Sequence, residues 1–206
     1  LKLSWEEDLR QYLFESYRIQ PPLVSVIPNG VDSTRFCPSD ERRQGRTVLF
    51  LSRLDGDSSL GARLLCAVAP RLYAKYPDLR IRIGGGGSEL ASIRGLARRT
   101  NFAIGAEIVE CVGNISDSAA FLRSGDLFVG VSRAAIEAGM CDLPIILCGD
   151  EGYLGRLRDE NFERALASNF SARGEQNATE DRLFEDVSAA LCERESERVG
   201  QLLRKY

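Results

Sequence analysis

Short apolar runs alternate with amphipathic stretches of helical period along this chain, and the alternation limits the folds that it can adopt. The run at residues 47–51 is almost continuously apolar, which is typical of a strand covered on both faces. Strands are predicted at residues 24–27, 47–51, 79–83, 107–112, 127–131 and 144–147, and helices at 5–17, 60–73, 89–97, 118–123, 134–140 and 181–192. This order predicts an α/β fold, a doubly wound parallel sheet (Rossmann-like) with ligands at the carboxyl ends of its strands.

Composition excludes several classes of protein. With 27 basic and 30 acidic residues, the chain has no overall charge that would attract nucleic acid, although a local patch remains compatible with this balance. No apolar run approaches the length of a membrane span and no signal peptide is recognised, so a cytoplasmic location is expected. The six cysteines include no Cys-x-x-Cys pair and histidine is absent, which argues against a bound metal and a histidine base.

A tight turn follows the first predicted strand. Pro28 removes a backbone donor, and Asn29-Gly30 favours the positive φ angles of a turn. Taken alone, this is an ordinary strand-to-loop turn. The whole string Val26–Asp32, followed by Thr34-Arg35-Phe36 and Pro38, resembles the interdomain hinge of the group 1 (family 4-like) glycosyltransferases. These are retaining GT-B enzymes, in which an acceptor domain precedes a nucleotide-sugar domain.

An arginine directly after a predicted strand carries the next part of the resemblance. Ser52-Arg53-Leu54 resembles the family's Gly-Arg-Leu signature, which implies a catalytic role for Arg53 at the diphosphate of the donor. The family's lysine five residues later is replaced by Ser58, so the resemblance places Ser58 in the donor site but with one positive charge missing. Without the family, Arg53 is interpreted as a salt-bridge residue at a strand end.

Four consecutive glycines, Gly84 to Gly87, follow the next strand and allow the backbone to approach a ligand closely. They do not form a dinucleotide fingerprint, because Ser88-Glu89-Leu90 follows. They resemble the family's Gly-Asp-Gly loop with glycine in place of the acid, which implies donor-binding roles for Gly84, Gly85 and Gly86. The alternative is a flexible connection.

A short segment after the 107–112 strand resembles the stretch whose backbone holds the nucleobase in the family. The resemblance assigns Asn114 and Ile115 to this role. Taken alone, Ser116 or Asp117 is simply the N-cap of the next helix.

The strongest chemical signal is a strand that leads directly into a helix at residues 131–138. Open amides at that helix N-terminus favour phosphate, and Glu137 lies one turn inside, where it can accept hydrogen bonds from ribose. Glu137 matches the second Glu of the family's Glu, seven residues, Glu motif, which implies a catalytic role, and donor-binding roles follow for Ser132, Arg133 and Ala134. The first Glu has no counterpart, since Val129 stands there. Without the family, Glu137 is a solvated helix acid.

Two further features belong to this region of the resemblance. Asp142 stands where the family usually has glycine before the following strand. Residues 150–155 are predicted to form a turn-rich, acidic loop, in which the resemblance implies donor contacts for Gly152 and Tyr153. An exposed turn without a ligand is the alternative.

The resemblance predicts the C-terminal half of a GT-B fold: residues 1–23 as a helical linker from a missing N-terminal acceptor domain, 24–192 as the nucleotide-sugar donor-binding domain, and 193–206 as the start of a truncated crossover helix. It implies transfer of a hexose from a UDP- or GDP-sugar to a saccharide or lipid-linked acceptor in cell-envelope or polysaccharide biosynthesis. Peripheral membrane association of the full-length protein stays open, and the fragment is expected to be inactive alone. Two alternatives are a non-catalytic sugar-nucleotide-binding or assembly module and a nucleotide-sugar epimerase, against which the absence of histidine counts.

Overall fold

The computed structural model describes residues 5–23, 30–38, 45–193 and 197–205. The predicted strand at 24–27 and most of the hinge string lie outside these residues. The helices are α1 (Trp5–Tyr17), α2 (Leu60–Lys75), α3 (Leu90–Ile104), α4 (Ser118–Arg123), α5 (Ser132–Met140), α6 (Phe162–Ala167), α7 (Glu180–Glu193) and α8 (Glu197–Leu203). The strands are β1 (Arg46–Leu51), β2 (Leu79–Gly84), β3 (Val109–Gly113), β4 (Leu127–Gly130), β5 (Ile145–Gly149) and β6 (Gly152–Arg156), and short 3-10 turns cover Pro21–Leu23, Gly56–Ser59 and Asp159–Asn161.

The six strands form one sheet in the order β3-β2-β1-β4-β5-β6. The first five strands pair in parallel, which confirms the predicted doubly wound sheet. The chain reverses its direction of strand addition between β1 and β4, where the two strands are hydrogen-bonded neighbours. Such a switch point opens a crevice beyond the strand ends, which is where ligands bind in this architecture.

Two elements differ from the sequence prediction. Residues 152–156, expected as part of a loop, form β6, which pairs antiparallel with β5 at the edge of the sheet. Helix α3 also continues to Ile104, beyond the predicted end at residue 97, and stops where Gly105 takes a left-handed conformation at φ 75°. Gly95 within the helix weakens the sequence signal for its second half.

The sheet is covered by helices on both faces, and the period of two along β1 divides its side chains between two cores. Val48 and Phe50 lie in one core with α2, α3 and α7, while Leu49 lies in the other with α4, α5, α6 and α8. This double covering explains the continuously apolar strands. No helix in the described parts of the chain is long and apolar enough to cross a membrane.

Candidate functional site

The carboxyl ends of the parallel strands meet along one edge of the sheet, called the rim here. Leu51 of β1 pairs with Gly84 of β2, and Gly84 pairs with Gly113 of β3, so these three strands end level with one another. On the other side of β1, Phe50 pairs with Val129 of β4. The segments predicted to bind the donor, which directly follow β1, β2, β3 and β4, are therefore brought together at the rim.

Arg53 follows β1 at the rim and is exposed. Within the described residues its guanidinium makes no hydrogen bond or ion pair, so the interpretation of Arg53 as a strand-end salt-bridge residue is not supported. Asp55 instead accepts hydrogen bonds from the Ser88 amide, at 2.7 Å, and from the Ser88 hydroxyl, at 3.1 Å. These bonds lower the pKa of Asp55, and the charge of Arg53 adds a smaller effect in the same direction. Ser58 is half-buried, with its amide bonded to the Asp55 carbonyl.

The glycine loop is held tightly between its neighbours. The Gly85 amide donates to the Gly113 carbonyl at 2.7 Å, and the Gly86 carbonyl accepts from the Leu54 amide at 2.8 Å. A Cβ on Gly85 would lie 1.8 Å from the Ser52 carbonyl oxygen, at a φ of +131°. The glycines therefore serve close backbone packing at the rim, and a flexible connection is not supported.

The Asn114 and Ile115 segment lies beside this loop. A Cβ on Gly86 would lie 1.9 Å from the Asn114 Oδ1 atom, and one on Gly84 would lie 2.8 Å from the Ile115 side chain. Asn114 is exposed, so it can meet a ligand. Asp117 caps α4 by accepting from the amides of Ala119 and Ala120, which confirms the N-cap interpretation for this residue.

The N-terminus of α5 is only partly open. Ser132 has a φ of 57°, and its backbone amide donates a hydrogen bond of 2.7 Å to the Phe170 carbonyl. The amide of this predicted donor-binding residue is therefore already used within the protein. The amides of Arg133 and Ala134 have no partner inside the helix, since they belong to its first turn. These two amides and the helix dipole remain able to bind an anion.

Glu137 is buried, with a relative exposure of 7%, so the interpretation of a solvated helix acid is wrong. Its Oε1 atom accepts a hydrogen bond of 2.9 Å from the Nε atom of Arg133, one turn earlier on α5. The Arg133 side chain itself is 64% exposed. A buried carboxylate that is held by a single arginine nitrogen keeps oxygen lone pairs for ligand hydroxyls.

Gly152 and Tyr153 lie at the start of β6, close to the rim, but the structure does not turn the Tyr153 side chain toward the other predicted residues. The Tyr153 hydroxyl is 2.6 Å from Asp186 Oδ2 on α7, and its amide donates to the Gln176 carbonyl at 2.7 Å. Burial, followed by the bond to Asp186, raises the pKa of Tyr153. A Cβ on Gly152 would lie 2.1 Å from the Ala172 carbonyl oxygen. Tyr153 thus anchors β6 to α7.

The segment that follows α6 was missed by sequence reasoning. Asn169, Phe170 and Ala172 all have positive φ angles, between 50° and 59°, which are uncommon for residues other than glycine. The segment contacts the α5 N-terminus through Phe170 and the start of β6 through Ala172. Only Asn169 is a residue type that favours this conformation, so the sequence offered little signal.

The rim thus combines hydrogen-bond donors that can bind an anion with one buried carboxylate that can accept hydrogen bonds. The donors are the guanidinium groups of Arg53 and Arg133 and the first-turn amides of α5, and the acceptor is the Glu137 carboxylate. Across the described residues, no group of three or more acidic or cysteine side chains is arranged to hold a metal ion. This set suits a ligand that carries both phosphate and hydroxyl groups.

Sequence comparison finds relatives that are longer than this chain. A profile of the family described as "Glycosyl transferases group 1" matches residues 45–169. The phosphatidyl-myo-inositol mannosyltransferase of Mycolicibacterium smegmatis is 45% identical over 156 residues, which are 71% of this chain and 37% of the relative. The chain spans 27% to 40% of the length of such curated relatives.

Solved structures share the fold at low sequence identity. The structure of S. aureus TarM in complex with fondaparinux, alpha-GlcNAc-glycerol and UDP has a TM-score of 0.68 at 17% identity, covering 97% of this chain and 38% of that one. The C-terminal domain of a group 1 glycosyl transferase from Francisella tularensis has a TM-score of 0.63 at 17% identity, covering 85% of this chain and 97% of that one. Since the family profile matches more than half of its residues, this chain belongs to the group 1 glycosyltransferases.

Proposed function

We propose that this chain is the donor-binding domain of a retaining GT-B enzyme that transfers a hexose from a UDP- or GDP-sugar to a saccharide or lipid-linked acceptor. The observation that carries the proposal is Glu137, a buried carboxylate one turn inside α5 at the rim. Arg133 satisfies one lone pair of this buried carboxylate, and a ribose that donates hydroxyl hydrogen bonds would satisfy lone pairs that remain. Arg53, which is exposed after the neighbouring strand and has no ion-pair partner among the described residues, supports the same conclusion.

In this proposal the nucleotide lies along the rim. The nucleobase contacts the backbone of Asn114 and Ile115, the ribose hydroxyls donate to Glu137, and the diphosphate lies against Arg53 and the first-turn amides of α5. When the bond between the sugar C1 atom and the diphosphate oxygen breaks, negative charge develops on the leaving diphosphate. Arg53 stabilises that charge, so it favours the transition state over the bound donor.

The acceptor site belongs to a preceding domain in this proposal. The chain covers only 37% of the mannosyltransferase from M. smegmatis, and the matched structure from F. tularensis is described as a C-terminal domain. GT-B chemistry requires a cleft between two domains, so this chain alone is proposed to bind the donor without turning it over. A cytoplasmic, peripheral membrane enzyme of cell-envelope synthesis is the corresponding role for the full-length protein.

The departures from the family pattern favour a second candidate, a non-catalytic sugar-nucleotide-binding module. The departure at Gly85 has a structural explanation, which weakens the case for a non-catalytic module. An aspartate cannot replace Gly85 without moving the backbone, because a Cβ there would meet the Ser52 carbonyl. Ser58 remains the departure that bears on catalysis, because the missing lysine would have contacted the leaving group.

Isothermal titration calorimetry of the chain with UDP, GDP and their hexose conjugates tests the proposed function. Saturable binding of one nucleotide is expected, with strong losses in Arg53→Ala and Glu137→Ala. Arg98→Ala is the matched control, because Arg98 is an exposed arginine on α3 outside the predicted site and should leave affinity unchanged. No binding of any of these nucleotides by the wild-type chain would contradict the proposal.

A further inference from the structure

The rim has a charge deficit on the β1 side. A nucleoside diphosphate brings at least two negative charges, but Ser58 stands where the family has a lysine, and Arg53 is the cation that follows β1 directly. Arg63, in the first turn of α2, does not supply the missing charge because its side chain is already paired. Its Nη2 atom is 2.6 Å from Glu89 Oε2 and its Nε atom donates to the Ser59 hydroxyl. A second cation from a neighbouring strand end would offset this deficit.

We propose that Arg133 supplies this second charge and contacts the diphosphate from the β4 side, an inference that rests on the proposed function. The sheet register places the two arginines just beyond neighbouring strand ends. Phe50 of β1 pairs with Val129 of β4, Arg53 follows three residues after Phe50, and Arg133 follows four residues after Val129. The two arginines thus flank the crevice at the switch point, one from each neighbouring strand end.

The hydrogen bonding of Arg133 leaves its phosphate-binding end available. Its Nε atom is bound to Glu137, while its two terminal nitrogens make no hydrogen bond or ion pair among the residues described, and 64% of the side chain is exposed. A guanidinium presents several donors in one plane, so one edge can hold the carboxylate while the other binds phosphate. The backbone amides of Arg133 and Ala134, in the first turn of α5, add to the attraction for an anion.

This arrangement makes Arg133 a physical link between two parts of the ligand. Its Nε atom orients the carboxylate proposed to bind ribose, and its terminal nitrogens are assigned to the diphosphate. The lysine of the usual pattern lies five residues after Arg53 and has no such link to the ribose-binding acid. The consequence is that the affinity for the nucleoside diphosphate depends more on Arg133 than the affinity for the monophosphate does.

The test compares UDP with UMP, or GDP with GMP if the wild-type chain prefers guanine, by calorimetry. The variants are Arg133→Ala, Arg133→Gln, Ser58→Lys and the double variant Arg133→Ala/Ser58→Lys, with Arg98→Ala as control. Arg133→Gln keeps a neutral donor for Glu137, so it separates the loss of charge from the loss of the Glu137 contact. Thermal melts establish that each variant is folded.

We expect Arg133→Ala and Arg133→Gln to weaken diphosphate binding by about 10- to 100-fold, the usual effect of losing a charge-assisted hydrogen bond. Monophosphate binding should weaken several-fold less. Lysine at position 58 should restore part of the lost diphosphate affinity in the double variant, because it returns the positive charge but not the contact with Glu137. Equal losses for the two ligands, or no loss, would overturn the role of Arg133 and leave the proposed function intact. A wild-type chain that binds none of the four nucleotides would overturn both.

Discussion

Replacing Gly85 by alanine tests whether the glycine loop holds the rim together. Gly85 has a φ of +131°, and the added Cβ would lie 1.8 Å from the Ser52 carbonyl oxygen. Because that oxygen belongs to the backbone directly before Arg53, it cannot move without displacing the end of β1. We expect the variant to lose both stability and nucleotide affinity.

The magnitude follows from two separate contributions. A residue with a Cβ in this region of φ costs about 1–3 kcal/mol in backbone strain. Moving the Ser52 carbonyl disturbs the hydrogen bonds from Gly85 to Gly113 and from Leu54 to Gly86, each worth about 1 kcal/mol net. The free energy of unfolding should therefore fall by about 3–5 kcal/mol.

Gly105→Ala is the matched control for this variant. Gly105 also has a positive φ, +75°, but no atom lies within 4 Å of the position of its Cβ. The substitution should cost only the strain of a left-handed residue, about 1–2 kcal/mol, and should leave nucleotide affinity unchanged. Urea denaturation followed by circular dichroism measures both variants. Equal destabilisation of the two would refute the steric argument for Gly85.

Three further predictions concern the stability of the fold and the accessibility of its thiols. Tyr153→Phe should lower the free energy of unfolding by about 1–2 kcal/mol in urea melts, because the part-buried hydrogen bond to Asp186 at 2.6 Å is lost. Burial raises the pKa of Cys148 from 9.0 to about 12, so its neutral thiol stabilises the fold below pH 9, and this contribution is lost as the pH rises toward 12. Cys148→Ala should accordingly weaken the fall in stability between pH 9 and 11 in urea melts, and an unchanged slope would contradict this. In native protein at pH 8, a thiol reagent followed by peptide mass spectrometry should label the exposed Cys192 before Cys148 and Cys66, which are buried.

The central strands β1, β4 and β5 were predictable because their side chains are buried on both faces of the sheet. The run at residues 47–51 has no polar face to offer solvent, and its length fits a strand better than a helix. Strand β6 lacked this signal, because Gly152 and Gly155 interrupt a five-residue strand at the sheet edge. Its pairing with β5 depends on tertiary contacts, such as the Tyr153 hydroxyl on α7, that no local pattern contains.

The sequence predicted where the candidate residues lie in the order of elements, but not the burial or the hydrogen bonds of these residues. The placement of Arg53 just after β1 and of Glu137 in the helix that follows β4 agrees with the order of elements and with the family resemblance. The burial of Glu137 does not, because it depends on how α5 packs against the rest of the fold. The bond from the Ser132 amide to the Phe170 carbonyl joins residues 38 positions apart, and the segment around Phe170 adopts a backbone conformation that its residue types disfavour.

Asp142 shows why a departure from a family pattern is weak evidence for lost activity. It has a φ of 56°, a conformation that explains the usual glycine, and aspartate is among the few other residues that adopt it readily. Its side chain also forms an ion pair with Arg204 and lies where a Cβ on Gly200 would stand, so it docks α8 against the end of α5. The departures from the family pattern at Asp142 and Gly85 are therefore both explained by local structure, without reference to a ligand. Among these departures, Ser58 is the one that bears on catalysis, because it removes the positive charge of the family's lysine. Catalytic activity of the full-length protein then depends on whether Arg133 supplies that charge.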